Sequence, residues 1–130
     1  MNPRGWLAVL ALWLFLWEPL RLAGELAGSM GTIGMRGAGG VAELAVHASV
    51  AAIAAAAAWG VWIRHPRAPA AASIALVASA AVTVQSAYWS FLPGDVGPGQ
   101  QLPRAVAAIA HAAGWITYLH RSRRVRAAFE

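Results

Sequence analysis

The sequence predicts an all-α integral membrane protein, a four-helix bundle with its N and C termini in the cytoplasm. Hydrophobic residues make up 59% of the 130 residues and charged residues only 12%, whereas soluble domains carry about 25% charged residues. Four segments are long and apolar enough to be read as membrane-spanning helices, which need about 20 residues each. Arginines are concentrated at one end of these segments, which indicates the orientation of the bundle.

The first helix contains an uncharged stretch, residues 5–17, that is too short to cross a hydrocarbon core of about 30 Å. The helix must therefore continue beyond it, and the sequence leaves open whether Pro19 kinks the helix or ends it. A cleaved secretory signal peptide is the alternative interpretation. Bulky tryptophans and charged residues beside Pro19 do not fit a cleavage site, so we expect an uncleaved helix.

The remaining helices are separated by segments rich in glycine or proline. The glycine-rich segment 28–40 is predicted to be a loop, and 64–69 is predicted to be a turn. The second helix is alanine-rich, so neighbouring backbones can approach it closely, and we place it at the centre of the bundle. Pro103 suits the first turn of the fourth helix. One transmembrane domain, residues 1–130, is predicted to contain helices at about 6–27, 41–63, 70–92 and 103–120 and a basic tail at 121–130.

The orientation of the bundle follows from the arginines, because the chain has no lysine. The positive-inside rule places the side richer in arginine in the cytoplasm, and this is the side of both termini. The net charge of +5 does not favour nucleic-acid binding, since most arginines lie at helix ends. The arginines on the side of the termini are Arg4, Arg64, Arg67, Arg121, Arg123, Arg124 and Arg126, and those on the opposite side are Arg36 and Arg104.

Two patterns stand at the ends of the chain. Gly5-Trp6-Leu7 is followed by Pro19-Leu20-Arg21, and the C-terminal part reads W-x-x-Y-x-x-x-S-x-R-V-x-x-x-F from Trp115 to Phe129. In both, the chain resembles a family of small four-helix bacterial inner-membrane proteins known as a domain of unknown function. The resemblance implies a four-helix architecture and a multi-pass location in the bacterial inner membrane, and it supplies no activity.

Strongly polar residues lie toward the outer end of each predicted helix. An ionisable side chain at the centre of a membrane helix costs about 2.5 to 3.5 kcal/mol on insertion scales, so such residues indicate a functional site. At about 1.5 Å per residue, Arg21, His47, Gln85 and His111 share a depth of about 10 Å, which predicts one polar layer and a pocket open to the outer side. The candidate ligand-binding or relay residues are Glu18, Arg21, Glu25, Glu43, His47, Gln85 and His111.

Helical spacing predicts which of these polar residues share a face. Glu18, Arg21 and Glu25 stand at i, i+3 and i+7, so they can pair with one another. Glu43 and His47 stand at i and i+4. Serines and threonines on the third helix predict hydrogen bonds between helices. Two further stripes, each on one helix face, are Ser79, Thr83, Ser86 and Ser90 on the third helix and Arg104, His111, Trp115 and Tyr118 on the fourth.

Several functions are consistent with this pattern. The pocket can bind a lipid headgroup, a quinone or a small polar solute, with Arg21 holding an anionic group, or it can relay protons through Glu43, His47 and His111. The alternative is an accessory or assembly subunit of a larger membrane complex, or a homo-oligomer, in which the layer only fixes helix register. In that interpretation the first-helix triplet is a self-neutralised ion-pair group and His47 is a hydrogen-bonded interior histidine.

Two cofactor hypotheses are less favoured, and no cofactor is predicted. His47 and His111 could ligate a b-type haem as an axial pair, but a single histidine pair is a weak signal. The same histidines with Glu43 form a weak metal-site candidate, because such spacing arises easily by chance. Cysteine is absent, which excludes disulfides and thiolate sites. No hydrolase, phosphate-loop or zinc-protease motif is present, so we expect no enzyme activity.

Membrane lipid is the expected partner of the basic tail. Arginines near a membrane surface contribute about 1 kcal/mol each to the binding of anionic lipid. Val125 and Phe129 lie among these arginines and indicate an interfacial segment. The predicted lipid-headgroup residues are Arg121, Arg123, Arg124 and Arg126.

Overall fold

The computed structural model describes residues 5–29, 37–88 and 99–130, which form helices and short turns with no strand among them. This confirms the all-α prediction. The predicted count of four helices is wrong, because the basic tail forms a short helix of its own. The helices are α1 (Trp6–Ser29), α2 (Gly37–Trp62), α3 (Ala68–Tyr88), α4 (Gln101–Arg121) and α5 (Arg123–Phe129).

The four long helices pack in chain order, with α1 on α2, α2 on α3 and α3 on α4. The Ser73 hydroxyl lies 3.4 Å from Nε2 of His120 and joins the start of α3 to the end of α4. Ring contacts bring α1 beside α4, where Trp6 meets Trp115 and Trp13 meets His111. Because these contacts advance along α1 while they go back along α4, the two helices are antiparallel.

Among the three helices of spanning character, the alanine-rich α2 is the most buried. The most apolar 18-residue stretch of α2 is 44% buried, compared with 28% for that of α1 and 22% for that of α3. Ala54 and Ala57 of α2 and Ala72 of α3 are almost fully buried and pack against Leu10 of α1. Small side chains permit this close approach, which dispersion contacts stabilise in a bilayer.

Helix α1 continues through Pro19 to Ser29, so the proline does not end the helix. Proline removes only one backbone donor, and the neighbouring helices hold the segment on both sides of it. Helix α2 begins at Gly37 rather than at 41, because packing overrides the low helix propensity of its glycines. The rest of the predicted glycine loop, 30–36, and the predicted end of the third helix, 89–92, lie outside the described residues.

The turn between α2 and α3 is shorter than predicted and tightly closed. Arg64 adopts a left-handed φ of 56°, and the amide of His65 donates to the carbonyl of Gly60 at 2.9 Å, which is a Schellman helix end. A Cβ added to Gly60 would lie 3.3 Å from the Cβ of Ala68. The absence of a side chain at Gly60 thus lets Ala68, the first residue of α3, lie close to α2. Pro69 follows in the first turn of α3, where no amide donor is needed.

Helix α5 covers the end of the bundle at which α1 begins. Val125 is 1% exposed and belongs to the same core cluster as Leu7, Val61 and Ala68, and Phe129 packs against this cluster one turn later. The spacing of i and i+4 puts both apolar side chains on one face of α5. The predicted interfacial tail is thus an ordered helix whose apolar face is part of the core.

Three helices, α1 within Trp6–Gly24, α2 and α3, are long and apolar enough to cross a membrane. Helix α4 has a comparable length of 21 residues but is less apolar, because it carries Arg104, His111, His120 and Arg121 within an alanine-rich sequence. The protein is therefore a membrane protein with at least three helices of spanning character.

Candidate functional site

A network of polar side chains joins α1 to α3 inside the helical packing. The Glu18 carboxylate, which is 3% exposed, accepts a hydrogen bond from Nη2 of Arg21 at 2.9 Å. Its second oxygen accepts a hydrogen bond from the Ser79 hydroxyl. Nη1 of Arg21 donates to Oγ1 of Thr83 at 2.5 Å. We call Glu18, Arg21, Ser79 and Thr83 the α1–α3 polar network.

Local helix geometry explains how the network forms. Glu18 and Arg21 are three residues apart on α1, and Ser79 and Thr83 are four residues apart on α3, so each pair shares one helix face. The Thr83 hydroxyl donates to the Ser79 carbonyl at 2.9 Å, which leaves its lone pairs free to accept from Arg21. The predicted pairing of Glu18 with Arg21 and the predicted bonds between helices are confirmed. The side chain of Glu25 lies outside the described ones, and its role stays a prediction.

The network forms one wall of a cavity of about 190 Å³ between α1, α3 and α4. The stacked rings of Trp13 and Trp17, whose centroids are 4.8 Å apart, line the wall on α1, and Arg104 and His111 line the wall on α4. These two tryptophans are also 37% and 45% exposed at the surface of the helices. The cavity therefore joins a polar interior to an apolar outer surface, which is the composition of a binding site for a small molecule.

His111 has an aromatic environment rather than a polar one. Its ring centroid lies 5.1 Å from that of Trp13. The indole N–H of Trp115 donates to its Nε2 at 3.0 Å. A ring nitrogen that accepts a hydrogen bond carries no proton, so this imidazole is neutral.

Arg104 lines the cavity, although it was not among the site residues predicted from the sequence. It stands seven residues before His111, and the two were predicted to share a face of the fourth helix, so the spacing contained a usable signal. Among the described residues, no side chain accepts a hydrogen bond from its guanidinium group. Arg104 is exposed and lies in the first turn of α4, where the helix dipole adds further positive potential.

The remaining candidate residues lie apart from this cavity. His47 is 3% exposed, and its Nε2 is 3.3 Å from the Ser86 hydroxyl on α3. Glu43 and Gln85 line a separate groove of about 410 Å³ between α2 and α3, whose other lining residues are small or aliphatic. Glu43 is 6% exposed. The groove thus lies on a different side of α3 from the α1–α3 polar network, whereas Ser86 shares the face of Ser79 and Thr83.

The four residues expected in one layer do not share one depth. His111 is level with Trp13, which precedes Arg21 by eight residues, or about 12 Å along the helix. Arg21 is level with Thr83 and His47 with Ser86, about one turn apart on α3. The depths inferred from predicted helix ends were inaccurate because α4 begins earlier, at Gln101, and because side chains on antiparallel helices tilt in opposite directions.

The positions of His47 and His111 can be compared with the haem and metal-site hypotheses. His47 contacts α3 and His111 contacts α1, at different depths, so the arrangement gives the bis-histidine haem alternative no support. Within residues 5–29, 37–88 and 99–130, no group of three or more histidine, aspartate and glutamate side chains is arranged to hold a metal ion. The buried ionisable groups lie in two places, at Glu18 beside Arg21 and at Glu43 and His47 on α2.

The tail arginines point away from the core. Arg121, Arg123, Arg124 and Arg126 are all exposed, whereas Val125 between them is buried. Helix α5 is therefore amphipathic, with a basic outer face.

Comparisons with known proteins identify a family for the chain but no individual relative. Neither the curated proteins nor the solved structures contain a significant match to the chain. A family profile described as a protein of unknown function matches residues 4–130, which confirms the resemblance seen at both ends of the sequence. The chain belongs to this family of unknown function, DUF2569.

Proposed function

We propose that this protein is a multi-pass protein of the bacterial inner membrane that binds a small polar ligand in the cavity between α1, α3 and α4. The observation that carries the proposal is the position of this cavity. Two of the three helices around it, α1 and α3, are apolar enough to span a membrane, yet its wall contains the Glu18–Arg21 ion pair. Ionisable groups in such helices are costly and by default mark a binding site or a pathway.

Binding is favoured over proton relay by the state of the charged groups. The Glu18 carboxylate accepts hydrogen bonds from Arg21 and Ser79, so its side chain has a fixed position in the cavity wall. His47 and His111, two of the three predicted relay residues, contact different helices, α3 and α1. A cavity with fixed polar walls suits a ligand better than a moving proton.

We extend the proposal to four crossings, with both termini in the cytoplasm. Helix α4 has 21 residues, about 31 Å at 1.5 Å per residue, and it packs along α3. Four crossings put both termini on one side, and this side holds seven of the ten arginines. The exposed arginines of α5 would then face anionic lipid headgroups of the cytoplasmic leaflet.

Single cysteines test this topology, since the natural chain contains none. A membrane-impermeant maleimide added to intact cells should label Gln100→Cys. It should label Arg67→Cys and Ser122→Cys only after the membrane is permeabilised. Labelling of Ser122→Cys in intact cells would contradict four crossings and would support three.

Filling the cavity tests the binding function. Ala108 lines the cavity, and the adjacent Ala107 is exposed and does not, so Ala108→Phe and Ala107→Phe are matched variants. Small molecules that co-purify with each folded protein from membranes are quantified by mass spectrometry. The proposal expects a stoichiometric compound that Ala108→Phe loses and Ala107→Phe retains. Equal content in both variants would contradict it and would favour the accessory-subunit alternative, in which the polar groups only fix helix register.

A further inference from the structure

The ionised groups of the cavity are not balanced. Those that line it are Glu18, Arg21 and Arg104, one negative and two positive charges, and the neutral His111 adds none. Glu18 and Arg21 neutralise each other at 2.9 Å. The part of the wall formed by described residues therefore has a net charge of +1, and this charge is located on Arg104.

Arg104 is better suited than Arg21 to hold an anion, because Arg21 is already paired with Glu18. Both terminal nitrogens of Arg21 already donate hydrogen bonds, one to Glu18 and one to Thr83. The guanidinium of Arg104 makes no such bond with any side chain in the described parts of the chain. A free guanidinium can bind a phosphate or carboxylate group through two parallel hydrogen bonds. Its place in the first turn of α4 adds the positive end of the helix dipole, which also favours an anion.

The opposite wall of the cavity indicates what the anionic group is attached to. Trp13 and Trp17 present stacked, partly exposed rings to the cavity, and Leu14 and Leu76 also line it. Indole rings have a large apolar surface, so they can pack against the apolar part of a ligand. At about 190 Å³, the cavity is smaller than the 300 to 1,000 Å³ or so of a site that encloses a whole ligand.

We propose that the cavity ligand is an anionic amphiphile, whose phosphate or carboxylate group binds Arg104 while its apolar part extends past Trp13 and Trp17 out of the cavity. This inference rests on the proposed binding function and names the chemical class of its ligand. An anionic membrane lipid is one source of such a group, and a free anion is the other. The sequence favoured Arg21 as the residue that holds an anionic group, and we assign this role to Arg104 instead.

The test measures binding of three probes to the whole protein in phosphatidylcholine nanodiscs by native mass spectrometry. The probes are dihexanoyl phosphatidylglycerol, dihexanoyl phosphatidylcholine and inorganic phosphate. The variants are Arg104→Gln, Arg104→Lys and Arg67→Gln. The last removes an exposed arginine outside the cavity, in the turn between α2 and α3, and controls for general surface charge. Ala108→Phe shows whether a probe binds in the cavity.

The wild-type protein should bind the anionic phospholipid about tenfold or more tightly than the zwitterionic one, because the choline ammonium brings a positive charge close to Arg104 and like charges repel. Arg104→Gln should lose this preference, Arg104→Lys should retain part of it, and Arg67→Gln should retain all of it. Phosphate binding that only Arg104→Gln loses, without a preference for the anionic phospholipid, would support an anion site at Arg104 but would overturn an amphiphilic ligand.

Other outcomes separate the two proposals. Equal binding of both phospholipids, abolished by Ala108→Phe, would overturn the anionic class and leave the binding function intact. Equal loss of anionic preference in Arg67→Gln and Arg104→Gln would overturn the role of Arg104. Binding of no probe would overturn the inference, and the compounds that co-purify with Ala107→Phe and Ala108→Phe would then decide the binding function independently.

Discussion

Arg21 and Glu18 form an ion pair at 2.9 Å one helical turn apart on α1, with side chains that are 14% and 3% exposed. Both charges also have a neutral partner on α3, so the pair links two helices that are not neighbours in sequence. A buried charge is tolerated only when it is paired and hydrogen-bonded. The pair is therefore the main polar constraint on how α1 lies against α3.

Removing one partner of this pair should destabilise the fold strongly. Glu18→Ala leaves Arg21 without its counter-charge, and such changes in buried pairs cost about 3 to 5 kcal/mol. Arg21→Ala should have a similar effect. Thermal unfolding in detergent, followed by far-UV circular dichroism, measures both. The double variant should lose less than the sum, with a coupling of about 1 kcal/mol or more, and strictly additive losses would show that the pair does not act as a unit.

The bond from Ser79 to Glu18 should contribute modestly to stability. Ser79→Ala should lower the free energy of unfolding by about 0.6 kcal/mol, the average found for hydrogen bonds between helices in a membrane. The matched control is Ser49→Ala, because the exposed Ser49 hydroxyl donates only to the carbonyl of Ala45 in its own helix, at 2.8 Å. Chemical unfolding of both variants compares them, and equal losses would deny Ser79 any role between helices.

The alanine-rich centre of α2 should not accept larger residues. Ala57 is 1% exposed, so Ala57→Leu would overpack the contact with neighbouring helices and cost about 1 to 3 kcal/mol. The adjacent Ala56 is exposed, and Ala56→Leu should leave the melting temperature unchanged, since alanine and leucine have similar helix propensities. A melting temperature lowered equally in both variants would place the packed face of α2 elsewhere.

Helix α5 should unfold locally when its apolar anchor is replaced. Val125→Asn puts an amide into a site that is 1% exposed, at a cost of about 1 to 3 kcal/mol if the amide finds no partner. Ala127→Asn, on the exposed face of the same helix, is the control. Limited trypsin digestion measures the effect, because unfolding exposes the bonds after the tail arginines. Val125→Asn should be cut faster than Ala127→Asn, and equal rates would contradict the docking of α5.

Relationships within one helix could be predicted from the sequence. The pairing of Glu18 with Arg21 depends only on helical spacing, which is fixed at about 3.6 residues per turn. The apolar character of three helices and their approximate bounds could also be predicted, because they depend only on the composition of each segment. Polar side chains within those helices also had to find partners, which made the bonding role of Ser79 and Thr83 predictable.

Relationships between helices could be predicted less well. The predicted level of His111 depended on where α4 begins and on how that helix is shifted along α1, and neither is set by local spacing. The inclusion of Arg104 in the cavity depends on the gap between α1 and α4, which hydropathy does not describe. Helix α5 was missed as a helix because its seven residues are too few to be stable alone, and the contact of Val125 with the core supplies what propensity cannot.

The central claim, that the cavity holds a ligand, is tested most directly by an experimental structure of the wild-type protein in nanodiscs made from native membrane lipid. The account predicts non-protein density between α1, α3 and α4, with its polar end within hydrogen-bond distance of Arg104 and its remainder beside Trp13 and Trp17. An empty cavity, or one closed by protein side chains around an intact Glu18–Arg21 pair, would contradict the account.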